Sequence, residues 1–174
     1  MKIYEDSEEY LKGLVFWSSD SGDLVDEESR PIDEEELPEE FKSFNYEDYY
    51  LVDGMYSYLA QYNGKCGIAL VNEYHEYIPE GTEKDPNNYE RAVKLAKDIE
   101  SKFPQHSVLI GKQIGFPNDL PDGTKDDATE LVVFVDADWL RDEKNEDAYF
   151  ELVDYLDKNA YISYEPADEE RDDR

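Results

Sequence analysis

The stretch MYSYLAQYNGKCGIALVNEY, residues 55–74, predicts a β-hairpin. Asn63-Gly64 at its centre favours a type I′ turn, because both central residues of that turn need positive φ angles. A two-residue turn pairs Tyr62 with Lys65 and thereby fixes the register of both strands. One face of the hairpin then carries Leu59, Ile68 and Leu70, and the other carries Tyr56, Tyr58, Ala69 and Val71. Since both faces are apolar, we expect the hairpin to lie centrally and to be covered on both sides.

Helical and strand patterns follow the hairpin. Asp85 as N-cap and Pro86 at the first helical position begin a predicted helix that ends at Phe103, before Pro104. Apolar residues repeat at helical spacing again after Asn145, which we expect to cap a second helix running to Asn159. The other predicted elements are a strand at 107–115, a long loop at 116–128, a buried strand at 131–135 and a short strand at 161–164.

From about residue 65 this order is β-α-β-β-α-β, which is ferredoxin-like. We therefore predict an α+β fold with an antiparallel or mixed sheet and two main helices, and the strand at 55–62 as an added edge strand. Residues 1–53 are expected to form an acidic N-terminal extension of short β and loop elements on a core at 54–164. Residues 165–174 are expected to form an acidic flexible tail, and the whole to be a single domain.

The net charge separates this chain from most proteins of its size. Asp and Glu number 46 against 17 Lys and Arg in 174 residues, which gives −29, whereas solubility needs a magnitude of only about 2–8. Such an excess destabilises the compact state by self-repulsion. Phosphate groups are contacted by Lys and Arg, so direct binding to nucleic acid or an anionic membrane is disfavoured. The expected partner is a basic protein surface, and above all that of a nucleic-acid-binding enzyme.

The acids are unevenly distributed. Residues 1–53 hold 18 acids and 4 bases, residues 54–103 hold 8 and 6, and residues 104–174 hold 20 and 7. The net charges are therefore −14, −2 and −13, so two acidic flanks surround a nearly neutral centre. A uniform solubility coat would not have this distribution.

Cysteine usage and the N-terminus favour a cytoplasmic location. Cys66 is the one cysteine, so neither an intrachain disulfide nor a zinc site built on several cysteines is possible. The start MKIYEDSEEY has no apolar segment of the kind found in signal peptides. No apolar run approaches the 18 or so residues of a membrane span. A homodimer is left open.

No catalytic, cofactor or metal motif stands out. His75 and His106 belong to no metal-binding or nucleophile motif, and we interpret both as surface histidines rather than catalytic ones. A calcium loop counted from Asp119 fails, because Gly123 stands where a ligand is needed and Thr124 where glycine is needed. Weak divalent binding there is the minor alternative. We therefore predict a non-enzyme with no catalytic residues, no cofactor and no metal site.

The acids themselves are the candidate binding residues. Several follow helical spacing on the last helix, where like charges at i, i+4 destabilise the helix without local benefit. Tyrosines, which are favoured at interfaces, alternate with acids in NYEDYY and DAYFELVDY. The predicted partner-binding residues are Asp26, Glu27, Glu28, Asp33, Glu34, Glu35, Glu36, Asp119, Asp122, Asp126, Asp127, Asp142, Glu143, Glu146, Asp147, Glu151 and Asp154.

Dense, fixed carboxylates resemble the phosphates of a duplex, which carries about one negative charge per 1.7 Å of axis. The leading hypothesis is thus an acidic inhibitor that mimics nucleic acid, of the anti-restriction or anti-CRISPR kind that phages and mobile elements encode. It would block the basic nucleic-acid-binding site of a host defence nuclease. The alternatives are an immunity or antitoxin-type protein that binds a basic toxin, an acidic housekeeping or salt-adapted domain, and, with least support, an enzyme.

Overall fold

The computed structural model describes residues 1–18, 20–42, 56–79, 87–112, 118–119 and 124–159. Its centre is a mixed sheet, which makes the fold α+β as predicted. The strands are β1 (Lys2–Tyr4), β2 (Val15–Ser18), β3 (Asp23–Val25), β4 (Tyr56–Tyr62), β5 (Lys65–Pro79), β6 (Ser107–Lys112), β7 (Asn118–Asp119) and β8 (Thr124–Asp136). The α-helices in the described part are α1 (Ser7–Leu11), α2 (Glu39–Lys42), α3 (Asn87–Lys102), α4 (Ala137–Arg141) and α5 (Glu146–Lys158).

Seven strands run in the order β1-β6-β8-β5-β4-β2-β3, and the short β7 pairs with β8. β1 is parallel to β6, and the other pairings between these strands are antiparallel. β8 therefore lies between β5 and β6, and α3 is the connection from β5 to β6.

The hairpin prediction is confirmed in its turn and in its register. Asn63 and Gly64 have φ angles of 50° and 75°, the left-handed values that a type I′ turn requires. Tyr62 lies opposite Lys65, and Leu59 opposite Ile68. Both strands are interior members of the sheet, so the hairpin is central.

Two apolar clusters cover the two faces of the sheet. Leu59, Ile68 and Leu70 belong to the larger cluster, to which α2, α3, α4 and α5 contribute side chains. Ala60 and Ala69 belong to the smaller cluster on the opposite face, which α1 covers with Tyr10. We call these the helical face and the α1 face of the sheet.

The ferredoxin-like order is not confirmed, and the prediction of an edge strand at 55–62 is wrong. β4 is bordered by β5 on one side and by β2 on the other, and β3 follows β2 at the edge. The reason is the apolar character of the N-terminal strands. Val15 pairs with Leu59, and the rings of Phe16 and Tyr58 meet edge to face at 4.1 Å. The sheet is larger than the predicted order allows, and α1, α2 and α4 add to the two longest helices.

The prediction of a long loop at 116–128 is wrong for the residues that the structure describes there. Residues 118–119 form β7, and 124–128 are the first part of the 13-residue β8. This part pairs with 75–79 of β5, so the two strands extend together as a ribbon beyond β4. The predicted cap at Asp85-Pro86, the strand at 161–164 and the tail at 165–174 lie outside the described residues.

Candidate protein-interaction surface

Helix α5 presents acids to solvent because its apolar residues all fall on one side. Four side chains at helical spacing, Tyr149, Leu152, Val153 and Leu156, are buried in the helical face. The opposite side is exposed and carries Glu146, Asp147, Glu151, Asp154 and Asp157. The structure thus brings the four predicted binding residues of this helix, Glu146, Asp147, Glu151 and Asp154, onto its solvent side.

The helix dipole makes some of these acids favourable and others unfavourable. Glu146 and Asp147 lie in the first turn, where negative charge is stabilised. Asp154 and Asp157 lie near the C-terminus, where the dipole disfavours them. Lys158 compensates in part, since its Nζ is 2.7 Å from Asp154 Oδ2. The last turn of α5 therefore carries acids that its own stability does not require.

The connection from β8 to α5 contains acids that also have local structural roles. Asp136 caps α4 by accepting hydrogen bonds from the backbone N–H groups of Asp138 (3.0 Å) and Trp139 (3.4 Å). Asp142 accepts one from Lys144 N at 3.1 Å and so begins a short 3₁₀ turn at Glu143–Asn145. Asp142 and Glu143, both predicted binding residues, are exposed. Asp142 is thus a cap as well as a surface charge.

Asn145 was predicted to cap α5, and it does occupy the N-cap position of that helix. Its side chain makes no capping hydrogen bond and instead donates to the Trp139 carbonyl at 2.9 Å. Asn159, where the helix was predicted to end, is its C-cap, with a φ of −105° and therefore outside the left-handed region. Asn159 Nδ2 donates to the Tyr155 carbonyl at 2.7 Å, which satisfies a carbonyl of the last turn by a side chain rather than by the backbone.

The second acidic segment, residues 26–42, is held by Asp26. Its carboxylate accepts hydrogen bonds from the backbone N–H groups of Glu28 and Arg30 and from Arg30 Nε, each at 2.9 Å. These bonds lower the pKa of Asp26, and the bond from the Arg30 backbone is the largest cause. Asp26 is thus a turn-forming residue. The remaining predicted acids of this segment are exposed: Glu27, Glu28, Asp33, Glu34, Glu35 and Glu36.

Both acidic segments lie over the same face of the sheet. Phe41 of α2 is buried in the same cluster as the apolar side of α5, and Ile32 and Leu37 pack against that cluster. The buried Cys66 thiol is close enough to both segments to be influenced by their charges. Its pKa is raised to about 12, chiefly by burial, and charges from Arg141 on α4, Glu40 on α2, and Asp136 and Asp138 at α4 also act on it.

Charge counts distinguish this part of the surface from its neighbour. Residues 26–42 hold 9 acids and 2 bases, and residues 136–158 hold 9 acids and 3 bases, so together they contribute −13. Helix α3, which covers the same sheet face beside β6, holds 3 acids and 4 bases. We call the exposed carboxylates of 26–42 and 136–158 the acidic face. It is a local concentration of charge, and the helix beside it is nearly neutral.

The structure does not bring the other predicted acids onto the acidic face. Asp119 lies in β7 opposite Lys125, and Asp126 and Asp127 lie in the β5–β8 ribbon. Asp126 is ten residues before Asp136 on an extended strand, or about 33 Å along it. Asp122 lies outside the described residues.

In the described part of the chain, four side chains have buried polar atoms without a hydrogen-bond partner, and none of them was predicted from the sequence. Asn72 donates to the Leu156 carbonyl at 2.8 Å and so ties the end of α5 to the sheet. Burial raises the pKa of Glu130 to about 7, and its Oε2 has no hydrogen-bond partner. The expectation that His106 is a surface histidine is wrong. It is 6% exposed against the Trp139 ring, with both ring nitrogens unpartnered, and burial lowers its pKa to about 4.

Tyr10 is the fourth of these side chains, and its packing explains why position 111 is occupied by glycine. A Cβ at Gly111 would lie 1.9 Å from Tyr10 Cε1, so the ring lies directly on the glycine backbone. Gly111 is opposite Glu130 in the sheet, which places Tyr10 beside that carboxyl group. The Tyr10 hydroxyl is buried without a partner.

A cavity of about 110 Å³ opens on the α1 face beside Tyr10. Aromatic rings, among them Tyr4, Tyr62 and Phe134, form its walls, and Glu9 and Lys12 lie at it. Ligand pockets are usually about 300–1,000 Å³. The cavity is therefore small for a ligand site, and the acidic face is the stronger candidate.

Within the described ranges, no group of three or more His, Cys, Asp or Glu is arranged to hold a metal ion. In the same part of the chain, no helix has the length and apolar character needed to cross a membrane. Comparison with protein-family models, curated proteins and solved structures finds no match.

Proposed function

We propose that this protein is an acidic inhibitor that mimics nucleic acid and occupies the basic nucleic-acid-binding site of a host defence nuclease. It is of the anti-restriction or anti-CRISPR kind that phages and mobile elements encode. The observation that carries the proposal is the acidic face. Two segments about a hundred residues apart in sequence lie over one sheet face and together hold −13.

The charge spacing on α5 supports mimicry of a phosphate backbone. Five carboxylates occur between Glu146 and Asp157, a length of about 17 Å at 1.5 Å per residue. This is about one charge per 3–4 Å, close to the one phosphate per 3.4 Å of axis on a DNA strand. A basic groove shaped for phosphates would therefore meet a similar charge density on this helix.

The mechanism is competition, with no chemical step. Opposite charge accelerates the encounter and makes it depend steeply on ionic strength. Once bound, the carboxylates pair with the Lys and Arg side chains that would otherwise contact DNA or RNA. The proposal therefore assigns no catalytic residue and no cofactor.

A competition assay tests the proposal with a charge-matched control. A labelled 30-base-pair duplex is bound to each of a panel of restriction and CRISPR nucleases, and the protein is titrated in at several salt concentrations. We expect displacement by wild type and at least tenfold weaker displacement by E146Q/D147N/E151Q/D154N. The control E8Q/E9Q/D20N/D23N has the same net charge but leaves the acidic face intact, so it should compete like wild type. Equal loss in both variants, or no displacement from any nuclease at low salt, contradicts the proposal.

One observation favours the second candidate, an immunity or antitoxin-type protein. Phe150 on α5 is 51% exposed in the midst of the acids, and an exposed aromatic side chain fits a protein pocket better than a phosphate channel. Co-expression with a basic toxin encoded beside this gene separates the two. Restored growth that depends on Phe150, together with no displacement of DNA from nucleases, supports this second function.

A further inference from the structure

We propose that Phe150 is the anchor through which the acidic face binds an arginine side chain of its partner, in preference to lysine. The inference rests on the proposed function, since it assumes that the acidic face meets a basic protein surface. It adds the identity of the contacting residue on the partner.

The position of Phe150 carries this inference. Of the large hydrophobic side chains that are exposed in the described part of the chain, it is the aromatic one, the others being Met1 and Ile3. Glu146 and Asp154 are four residues away on either side, so both lie next to it on the helix surface, at about 5–6 Å between Cβ atoms. Asp147, three residues before it, is a third such neighbour. An aromatic ring and three carboxylates, of which Asp154 also pairs with Lys158, therefore share one exposed patch.

The ring is supported from below. Tyr149 is 6% exposed, and its ring meets that of Phe150 at 5.6 Å and 61°. The buried side of α5 is complete without Phe150, because Leu152, Val153 and Leu156 hold the helix to the sheet. Phe150 thus presents to solvent an aromatic ring that is not needed to hold α5 to the sheet.

The chemistry of the patch selects arginine. A guanidinium group is planar and weakly hydrated, so it stacks on an aromatic ring while its N–H groups pair with carboxylates at the edges. The lysine ammonium is a compact, strongly hydrated charge that gains less from the ring. A phosphate or a carboxylate would be repelled by the three neighbouring acids. A basic surface rich in arginine is therefore the complementary occupant.

Peptide binding tests this preference without knowledge of the natural partner. Fluorescein-labelled octa-arginine and octa-lysine are titrated with the protein at 0.15 M NaCl, and affinity is read by fluorescence anisotropy. A cation–π contact at an exposed site is equivalent to about two- to fivefold in affinity. We expect F150A and F150L to lose that factor for octa-arginine and to bind octa-lysine as wild type does. F150Y should retain the arginine preference, and thermal unfolding should show all three variants folded.

The outcomes distinguish a failure of this inference from a failure of the proposed function on which it rests. If F150A weakens both peptides equally, or leaves the arginine preference unchanged, the anchor is refuted although the acidic face still binds cations. If E146Q/D147N/E151Q/D154N and the control E8Q/E9Q/D20N/D23N bind both peptides with equal affinity, the acidic face has no specific role. In that case the proposed function is contradicted together with this inference.

Discussion

At the scale of single residues, the buried ionisable groups are what the sequence could not reveal. Glu130 immediately precedes the apolar run LVVFV, and in sequence it marks the polar end of a strand. Its burial follows from its neighbours across the sheet, Gly111 on β6 and Glu73 on β5, and from Tyr10 packed on that glycine. Those neighbours come from three separate parts of the chain, so no local pattern predicts them.

Glu130 should make stability depend on pH near neutrality. Burial raises its pKa in the folded state from 4.5 to about 7, so its favourable contribution is complete below pH 4.5 and is lost as pH rises through 7. In E130Q this dependence is absent. The free energy of unfolding of E130Q relative to wild type should therefore be higher at pH 8 than at pH 4.5, by roughly 3 kcal/mol. Urea unfolding at both pH values measures it.

His106 provides the control, because its contribution has the opposite sign. Burial lowers its pKa from 6.5 to about 4, so its contribution is complete above pH 6.5 and is lost as pH falls through 4. Relative to wild type, H106F should therefore gain stability toward acid whereas E130Q should lose it. A constant difference in unfolding free energy between E130Q and wild type from pH 4.5 to pH 8 would show that the Glu130 carboxyl is not buried in the folded protein.

At the scale of elements, local chemistry predicted some parts well and tertiary pairing determined the others. The Asn63-Gly64 turn fixes its own register through two positive φ angles, so the hairpin is readable from six or so residues. The apolar spacing around Leu152 likewise defines α5. The segment TKDDA at 124–128 is polar and acidic, and it is a strand because β5 pairs with it. Such a strand has no alternation of apolar and polar residues, so its sequence predicts a loop.

Asn72 should be the residue that holds the acidic helix in place. Its buried amide donates to the Leu156 carbonyl at 2.8 Å, and N72A leaves that carbonyl only the backbone N–H of Asn159 at 3.2 Å. The expected loss is about 0.5–1.5 kcal/mol of unfolding free energy, the net contribution of one hydrogen bond. N159A is the matched control, because Asn159 donates to the Tyr155 carbonyl of the same helix end at 2.7 Å but is exposed. Equal effects of the two substitutions in thermal unfolding would mean that burial of the Asn72 bond is unimportant.

At the scale of the whole molecule, composition led to the hypothesis that charge is the functional property but did not show where the charge is concentrated. The acids at 26–36 and those at 142–154 were both predicted as binding residues. Their presence over one sheet face depends on Phe41 and α5 sharing an apolar cluster, which only the fold reveals. The same fold places Asp126 and Asp127 on a separate ribbon. The acids predicted on α5 and at 27–36 are exposed, but the geometry that groups them could not be predicted from the sequence.

Self-repulsion should make this protein more stable as salt is added. At 0.01 M salt the Debye length is about 30 Å, so most of the −29 acts together, and at 0.1 M it falls to about 10 Å. We expect the midpoint of thermal unfolding to rise over this range, and D157N, which removes an acid that the dipole of α5 disfavours, to unfold at a higher temperature than wild type at 0.01 M. A midpoint that falls with salt would mean that surface ion pairs outweigh the repulsion.

If the wild type is folded only in molar salt, the salt-adapted alternative gains support. A protein that folds at 0.01 M and is stabilised by losing its acids retains them at the expense of its own stability, which is the pattern expected when a partner, rather than the fold, requires them.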